Sequence, residues 1–178
     1  MATRKQLLKH FDKMEAERQE LLSAISSYSD QLLSKKPAPE SWSVAEVMEH
    51  LTVAENGSLQ YMHKKIEYGG HSKAAITAGL KQQLLNFSIS LPIKYKVPKI
   101  LEKKDTSFVD YKDALNNWNE VRIAMRSAYE KMDEGIIGNE LFKHPFAGKM
   151  NVIQGVKFMR QHMKHHTKQI HSTLKRVG

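Results

Sequence analysis

Two histidines one helical turn apart are the residues in this sequence best placed for chemistry. His162 and His166 lie four positions apart in a segment with the periodicity of an amphipathic helix. Side chains at this spacing are about 5–6 Å apart at Cβ and project the same way. Each of the two imidazoles can therefore approach a shared metal ion at about 2.0–2.1 Å. On the helical wheel both flank the apolar face, whereas His165 points toward the polar side.

A metal ion held by this pair needs at least one more protein ligand, and spacing alone does not assign it. His50 lies beside the apolar stripe of an earlier helical segment. Three histidines from two helices would form a nitrogen site with open positions, which suits zinc or nickel. A histidine on a helix flank is also commonly a hydrogen-bonded core residue or a surface residue. The remaining scattered histidines are interpreted as surface or loop residues: His10, His63, His71, His144 and His171.

Other kinds of reactive centre have no signature in this sequence. Cysteine is absent, which removes disulfides, thiolate ligands and cysteine nucleophiles and fits a reducing compartment. There is no Gly-x-Ser-x-Gly nucleophile elbow and no glycine-rich phosphate loop. No run approaches the roughly 20 apolar residues that span a bilayer, and the charged N-terminus lacks the apolar core of a secretory signal. We therefore expect a cytoplasmic protein that does not associate with membranes.

Four amphipathic segments must position these histidines. They run from about Arg4 to Tyr28, from Ser43 to about Ile66, from about Ser107 to Asp133 and from Asn151 to about Arg176. No window alternates strongly with period two, so the sequence predicts an all-α fold. Four helices of similar length bury their apolar faces most simply as a four-helix bundle, here one domain covering residues 1–178.

Two of these helices begin with a predicted capping box, in which the first and fourth residues bond reciprocally. Ser43 pairs with Glu46, and Asn151 pairs with Gln154. Glu46 is also one turn before His50, so orienting that ring is its alternative role. Gln169 likewise has two alternative interpretations: it orients a ligand or substrate, or it lies on a solvated helix face.

The connection between the second and third helices, from His71 to Thr106, is predicted to be long and partly irregular. Residues 72–87 could form a short helix. The stretch from Leu91 to Pro98 is expected to be extended and basic, because its two prolines remove backbone donors. We assign no function to this connection.

Charged residues interrupt the apolar stripes of the second and third helices. Arg122 is expected to snorkel at the edge of the bundle, with binding of a substrate carboxylate as the alternative. Glu55 is expected to form an interhelical polar pair. Tyr28 and Phe108 are placed on the apolar stripes of the first and third helices.

The stretch from Pro39 to Leu51, PESWSVAEVMEHL, resembles the first motif of the DinB-like (DinB/YfiT) superfamily of metal-dependent enzymes. In that motif a Trp-Ser-Val step opens a helix that ends in His-Leu. The HPFAG segment at 144–148, followed by HMKHHTKQI at 162–170, resembles the last motif of the superfamily. Both motifs come in the family's order, and the resemblance covers the whole chain in outline.

This resemblance implies a bundle whose metal ligands are His50, His162 and His166, with a divalent metal as cofactor and zinc or nickel as the expected ions. It implies a hydrolase or a thiol S-transferase in which the metal activates water or a thiol toward a small-molecule substrate. Residues with other catalytic roles are not assigned. The alternative is a helical bundle that binds a small molecule without catalysis.

The formal net charge of +9 makes a nucleic-acid or polyanion-binding protein the competing hypothesis. The basic face of the fourth helix and the run from Lys94 to Lys104 favour it. However, that face lies opposite the apolar stripe, where solvated lysines belong, and the run contains only Tyr95 for stacking. No helix-turn-helix is recognisable. We therefore expect no nucleic-acid partner, and a homodimer is the default oligomer.

Overall fold

The computed structural model describes residues 2–74, 108–144 and 148–178, and most of these residues are helical. The helices are α1 (Arg4–Ile25), α2 (Asp30–Ser34), α3 (Val44–Tyr68), α4 (Tyr111–Lys131) and α5 (Val152–Val177). Two short strands, β1 (Phe142–His144) and β2 (Gly148–Met150), form an antiparallel hairpin before α5. The predicted all-α bundle is confirmed, with α2 and the hairpin as additions. None of the helices in the described ranges is long and apolar enough to cross a membrane.

Each long helix begins at a residue that satisfies its free backbone donors. At α3, the Glu46 N–H donates to Ser43 Oγ (3.1 Å) and the Ser43 N–H donates to Glu46 Oε2 (2.9 Å). Asn151 and Gln154 form the same reciprocal pair at α5. Both predicted capping boxes are therefore confirmed. These caps fix the residue at which each helix starts, whereas the apolar stripe determines which side chains face the core.

Two helix ends differ from the sequence prediction. α1 stops at Ile25, so Tyr28 lies in the turn before α2 and is 39% exposed. α4 starts at Tyr111, because the Asp110 side chain accepts the backbone N–H groups of the first turn. Phe108 therefore precedes the helix and is 74% exposed. The prediction that Tyr28 and Phe108 lie on apolar stripes was wrong, because neither residue is helical.

The short helix α2 marks one end of the bundle. α3 follows it after one loop, and α4 also begins there, because the Tyr111 N–H donates to Ser34 Oγ (3.0 Å). α5 ends there as well, with Gly178 next to the side chain of Leu32. Helices α3 and α4 therefore run parallel to each other and antiparallel to α5. This arrangement brings the first half of α3 level with the middle of α5.

The core contains a buried ionic network that joins α1, α3 and α4. Arg122 is 3% exposed and Glu55 is 1% exposed, and the guanidinium donates two bonds of 2.7 Å to that carboxylate. Trp118 Nε1 also donates to Glu55 (3.0 Å). Glu15 accepts from both Arg122 and the buried Arg18. The interhelical pair expected for Glu55 is confirmed, and the prediction that Arg122 snorkels was wrong, because Glu55 and Glu15 pair with the guanidinium inside the bundle.

The hairpin was not predicted, because three-residue strands are too short to show an alternating pattern. Phe142 of β1 lies directly on Gly155 in the first turn of α5, where any added Cβ would overlap the aromatic ring. Gly148 starts β2 with a positive φ of 77°, a conformation that glycine adopts without strain. His144 is only 7% exposed, which corrects its interpretation as a surface or loop residue.

Most of the predicted connection between α3 and α4 lies outside the described residues, including the basic stretch from Leu91 to Pro98 and nearly all of the possible helix at 72–87. Only its first residues are described. There the Ala74 N–H donates to Gly138 O (3.1 Å) and the Glu140 N–H donates to Ser72 O (2.8 Å). The chain leaving α3 is thus held against the segment that follows α4.

Candidate metal centre

The three histidines singled out in the sequence come from two antiparallel helices. His50 lies in the second turn of α3, and its position is set by the cap at Ser43. His162 and His166 lie in the middle of α5, one turn apart. Because α3 and α5 run in opposite directions with their caps at opposite ends of the bundle, these positions meet at the same level.

The ligand nitrogens of the three histidines converge. His162 Nε2 is 3.3 Å from His50 Nε2 and 3.1 Å from His166 Nε2, and all three nitrogens lie within 4.8 Å of one another. Nitrogens about 2.0–2.1 Å from a common ion would be about 2.8–3.0 Å apart at 90° and about 3.3–3.4 Å apart at the tetrahedral angle. The two measured separations lie between these limits. In the described part of the chain, this is the one cluster of three histidine, aspartate or glutamate side chains with such spacing.

A hydrogen bond fixes the orientation of one of the rings. His166 Nδ1 is 2.7 Å from Gln169 Oε1. An amide oxygen can only accept, so Nδ1 carries the proton and Nε2 keeps its lone pair directed at the cluster. This contact supports the orienting role considered for Gln169. Glu46, by contrast, is occupied by its cap and by an ion pair with Lys36 (2.9 Å), so it serves the start of α3.

Burial keeps the three imidazoles neutral at pH 7. It lowers the pKa of His50 below the ordinary value of 6.5. The pKa of His162 is held well below that value, first by burial and then by the neighbouring histidines. Burial and the nearby His50 lower the pKa of His166 to about 4. Neutral imidazole is the form that binds metal, so all three groups have a lone pair available.

Two aromatic rings flank the cluster. The Trp42 ring lies 5.0 Å from the ring of His50 and 6.4 Å from the ring of His166. The planes of Trp42 and His166 differ by 18°. The Phe158 ring stacks on His162 at 5.9 Å and 12°. From the sequence, Trp42 was placed only in the family motif that opens α3, and Phe158 was assigned no role. The spacing of four between Phe158 and His162 on one helix was a signal that could have identified the second contact.

The other histidines do not join the cluster. His165 is exposed, as the helical wheel predicted, although its ring lies edge-on to His166 at 5.1 Å. His144 lies edge-on to Phe158, 4.3 Å from that ring, and burial lowers its pKa to about 4. The structure thus brings together the predicted set of three and leaves His165 on the outer surface.

Comparison with known proteins gives two matches. The sequence model described as the DinB superfamily matches residues 13–170, a span that contains all three histidines. The uncharacterized protein YuaE of Bacillus subtilis (strain 168) is 24% identical over 153 residues, which cover 86% of this chain and 90% of that protein. No solved structure matches the chain significantly.

Proposed function

This chain belongs to the DinB superfamily, and from its histidine cluster we propose that it is a metal-dependent enzyme that activates water or a small thiol. The single observation that carries the proposal is the convergence of three Nε2 atoms, with separations of 3.1 and 3.3 Å along two of the edges. The proposed substrate is a small molecule. Hydrolysis and thiol transfer are the two reaction classes proposed for this centre.

The chemistry of the donor set fits a divalent metal ion. It consists of three neutral nitrogens and includes neither thiolate nor carboxylate, a combination that suits zinc or nickel. Three protein ligands leave at least one coordination position for an outside molecule, which is typical of catalytic rather than structural zinc sites. A divalent cation held there would act as a Lewis acid and lower the pKa of a water molecule or a thiol.

The protein's own residues prepare the site in three ways. Gln169 holds the tautomer of His166 through the 2.7 Å bond to Nδ1. Burial keeps the imidazoles unprotonated, so a cation does not have to displace protons at neutral pH. His50 and His162 are only partly buried, so a small molecule can reach the cluster from solvent while the bundle core excludes water from the other side.

The metal content of the untagged protein tests whether the histidine cluster binds a metal ion. Elemental analysis after remetallation should give one zinc or nickel ion per chain, and His162→Ala and His166→Ala should each abolish stoichiometric binding. His165→Ala is the matched control, because that exposed ring adjoins His166 without joining the cluster. Absence of stoichiometric metal from the wild-type protein, or equal loss in all three variants, would contradict the assigned site.

Cobalt substitution separates the two reaction classes. Co²⁺ bound to three nitrogens has visible d–d bands, and a sulfur ligand adds an intense charge-transfer band in the near ultraviolet. Titration with a low-molecular-weight thiol should produce that band if the protein is a thiol S-transferase. If the Co²⁺ spectrum does not change when the thiol is added but does change with pH near neutrality, activation of water is favoured instead.

A further inference from the structure

Trp42 contacts ligands from both helices of the cluster. It is the residue immediately before the cap of α3, and its backbone therefore lies outside the helix. Its side chain is partly exposed and spans the gap between α3 and α5, where it lies 5.0 Å from His50 and 6.4 Å from His166. No other ring contact among the described residues links one non-histidine side chain to two members of the cluster.

Phe158 performs the corresponding role for the third ligand. Its ring is nearly parallel to that of His162, with 12° between the planes. Phe158 is also supported by the hairpin, because Phe142 lies 6.0 Å away and His144 lies 4.3 Å away. The hairpin in turn reaches α5 through the close contact of Phe142 with Gly155. A continuous series of packed rings therefore runs from β1 to His162.

Convergence of the nitrogens depends on the orientation of each ring. Rotation about the Cβ–Cγ bond would carry Nε2 away from the common point while leaving the helix unchanged. Productive metal sites need their ligands held within about 0.5 Å and about 10–20° of the required geometry. The bond from Gln169 restrains only His166. The planes of His50 and His162 need a further restraint, which the neighbouring aromatic rings can provide.

We propose that Trp42 and Phe158 are positioning residues that clamp the three imidazoles between two aromatic planes and thereby set the affinity and geometry of the metal centre. The inference rests on the proposed metal-binding function. Neither residue touches the reacting atoms, so they act through His50, His162 and His166. Their role corresponds to that of hydrogen-bond partners around other metal sites, whose removal weakens metal binding by about 10–100-fold.

The test compares Trp42→Leu and Phe158→Leu with Trp42→Phe, which retains a planar ring. The full-length protein is stripped of metal and its dissociation constant for Zn²⁺ is measured by competition with a chromophoric chelator. The two leucine variants should bind Zn²⁺ about 10–100-fold more weakly, whereas Trp42→Phe should stay within about threefold of wild type. Co²⁺ spectra of the leucine variants should show broadened and shifted d–d bands, since the ligands are no longer held in one geometry.

A merely structural role gives a different pattern. It would lower the unfolding temperature of the metal-free protein while leaving the Zn²⁺ affinity and the Co²⁺ spectrum unchanged, and this result would overturn the proposal. Trp42→Met provides a second non-aromatic variant, because its unbranched side chain adapts to irregular space. If neither Trp42→Leu nor Trp42→Met folds, Trp42 is a structural residue and the proposal fails. Failure of the wild-type protein to bind metal would instead refute the proposed function.

Discussion

Replacing Arg122 by methionine isolates the energetic role of the buried network. Methionine retains much of the apolar stem of arginine and removes the guanidinium. In the wild-type protein, the Glu55 carboxylate accepts two bonds of 2.7 Å from Arg122 and one of 3.0 Å from Trp118. The variant leaves a carboxylate that is 1% exposed with only the neutral indole N–H as a donor.

The expected loss follows from that uncompensated charge. Removing one partner of a buried ion pair typically costs about 3–5 kcal/mol of the free energy of unfolding. The second bond of Arg122, to Glu15 at 3.2 Å, adds little, because Glu15 remains paired with Arg18 and is partly exposed. We therefore expect Arg122→Met to lower the free energy of unfolding by about 3–5 kcal/mol.

A double variant provides the matched control. In Arg122→Met/Glu55→Gln the buried charge is gone, and the amide oxygen still accepts from Trp118. The cost should fall to about half that of the single variant, and the coupling energy between the two positions should be at least about 2 kcal/mol, because Glu55→Gln alone also costs stability. The single variant Glu55→Gln completes the cycle.

Urea unfolding of the metal-free protein, followed by far-ultraviolet circular dichroism, measures these differences. The midpoint should shift while the slope of free energy against urea stays constant, since the surface exposed on unfolding is the same. If Arg122→Met costs less than about 1 kcal/mol, or if the double variant loses the sum of the two single losses, the reasoning from a desolvated charge is wrong.

Three further predictions concern the hairpin, a buried histidine and the orientation of a ligand. Gly155→Ala should lower the free energy of unfolding by about 1–3 kcal/mol in urea titrations, because its Cβ would overlap an aromatic ring. Gly57→Ala, with nothing within 4 Å of the new Cβ, is the control and should stabilise α3 by about 0.5–1 kcal/mol. Because burial lowers the pKa of His144 to about 4, its contribution to stability is present above about pH 6.5 and is lost as the pH falls toward 4. That loss is about 3 kcal/mol, and His144→Asn should flatten the pH profile of metal-free unfolding correspondingly. Gln169→Ala should weaken Zn²⁺ binding by about 10–100-fold in chelator competition; an unchanged affinity would show that the 2.7 Å contact with His166 does not orient the ring.

The helices were predictable where their signals are local. A capping box needs only two residues three positions apart, so Ser43 with Glu46 and Asn151 with Gln154 located the starts of α3 and α5. The ends carried weaker signals. Tyr28 continued an apolar pattern past the last turn of α1, although the next helix begins with its own cap at Ser29. Hydrophobic periodicity shows which positions carry apolar side chains, but it does not show where the backbone hydrogen bonding of a helix ends.

Charged residues on the apolar stripes show a second limit of prediction from sequence. The position of Arg122 on the inner face of α4 was readable from the sequence, and so was that of Glu55 on α3. Whether such a charge turns outward or is buried depends on the presence of a partner across the helix interface. That partner is 67 residues away in the chain, so no local pattern could decide between the two outcomes.

By itself the sequence determined the all-α class, the starts of α3 and α5 and the phase that places His162 and His166 on one flank of α5, because these follow from interactions within one or two helical turns. The resemblance to a family supplied His50 as their companion. Only the tertiary structure decided that the Nε2 atoms of His50 and His162, 112 positions apart, come within 3.3 Å. The same is true of the placement of Trp42 beside His166, because the packing of α3 against α5 sets this contact.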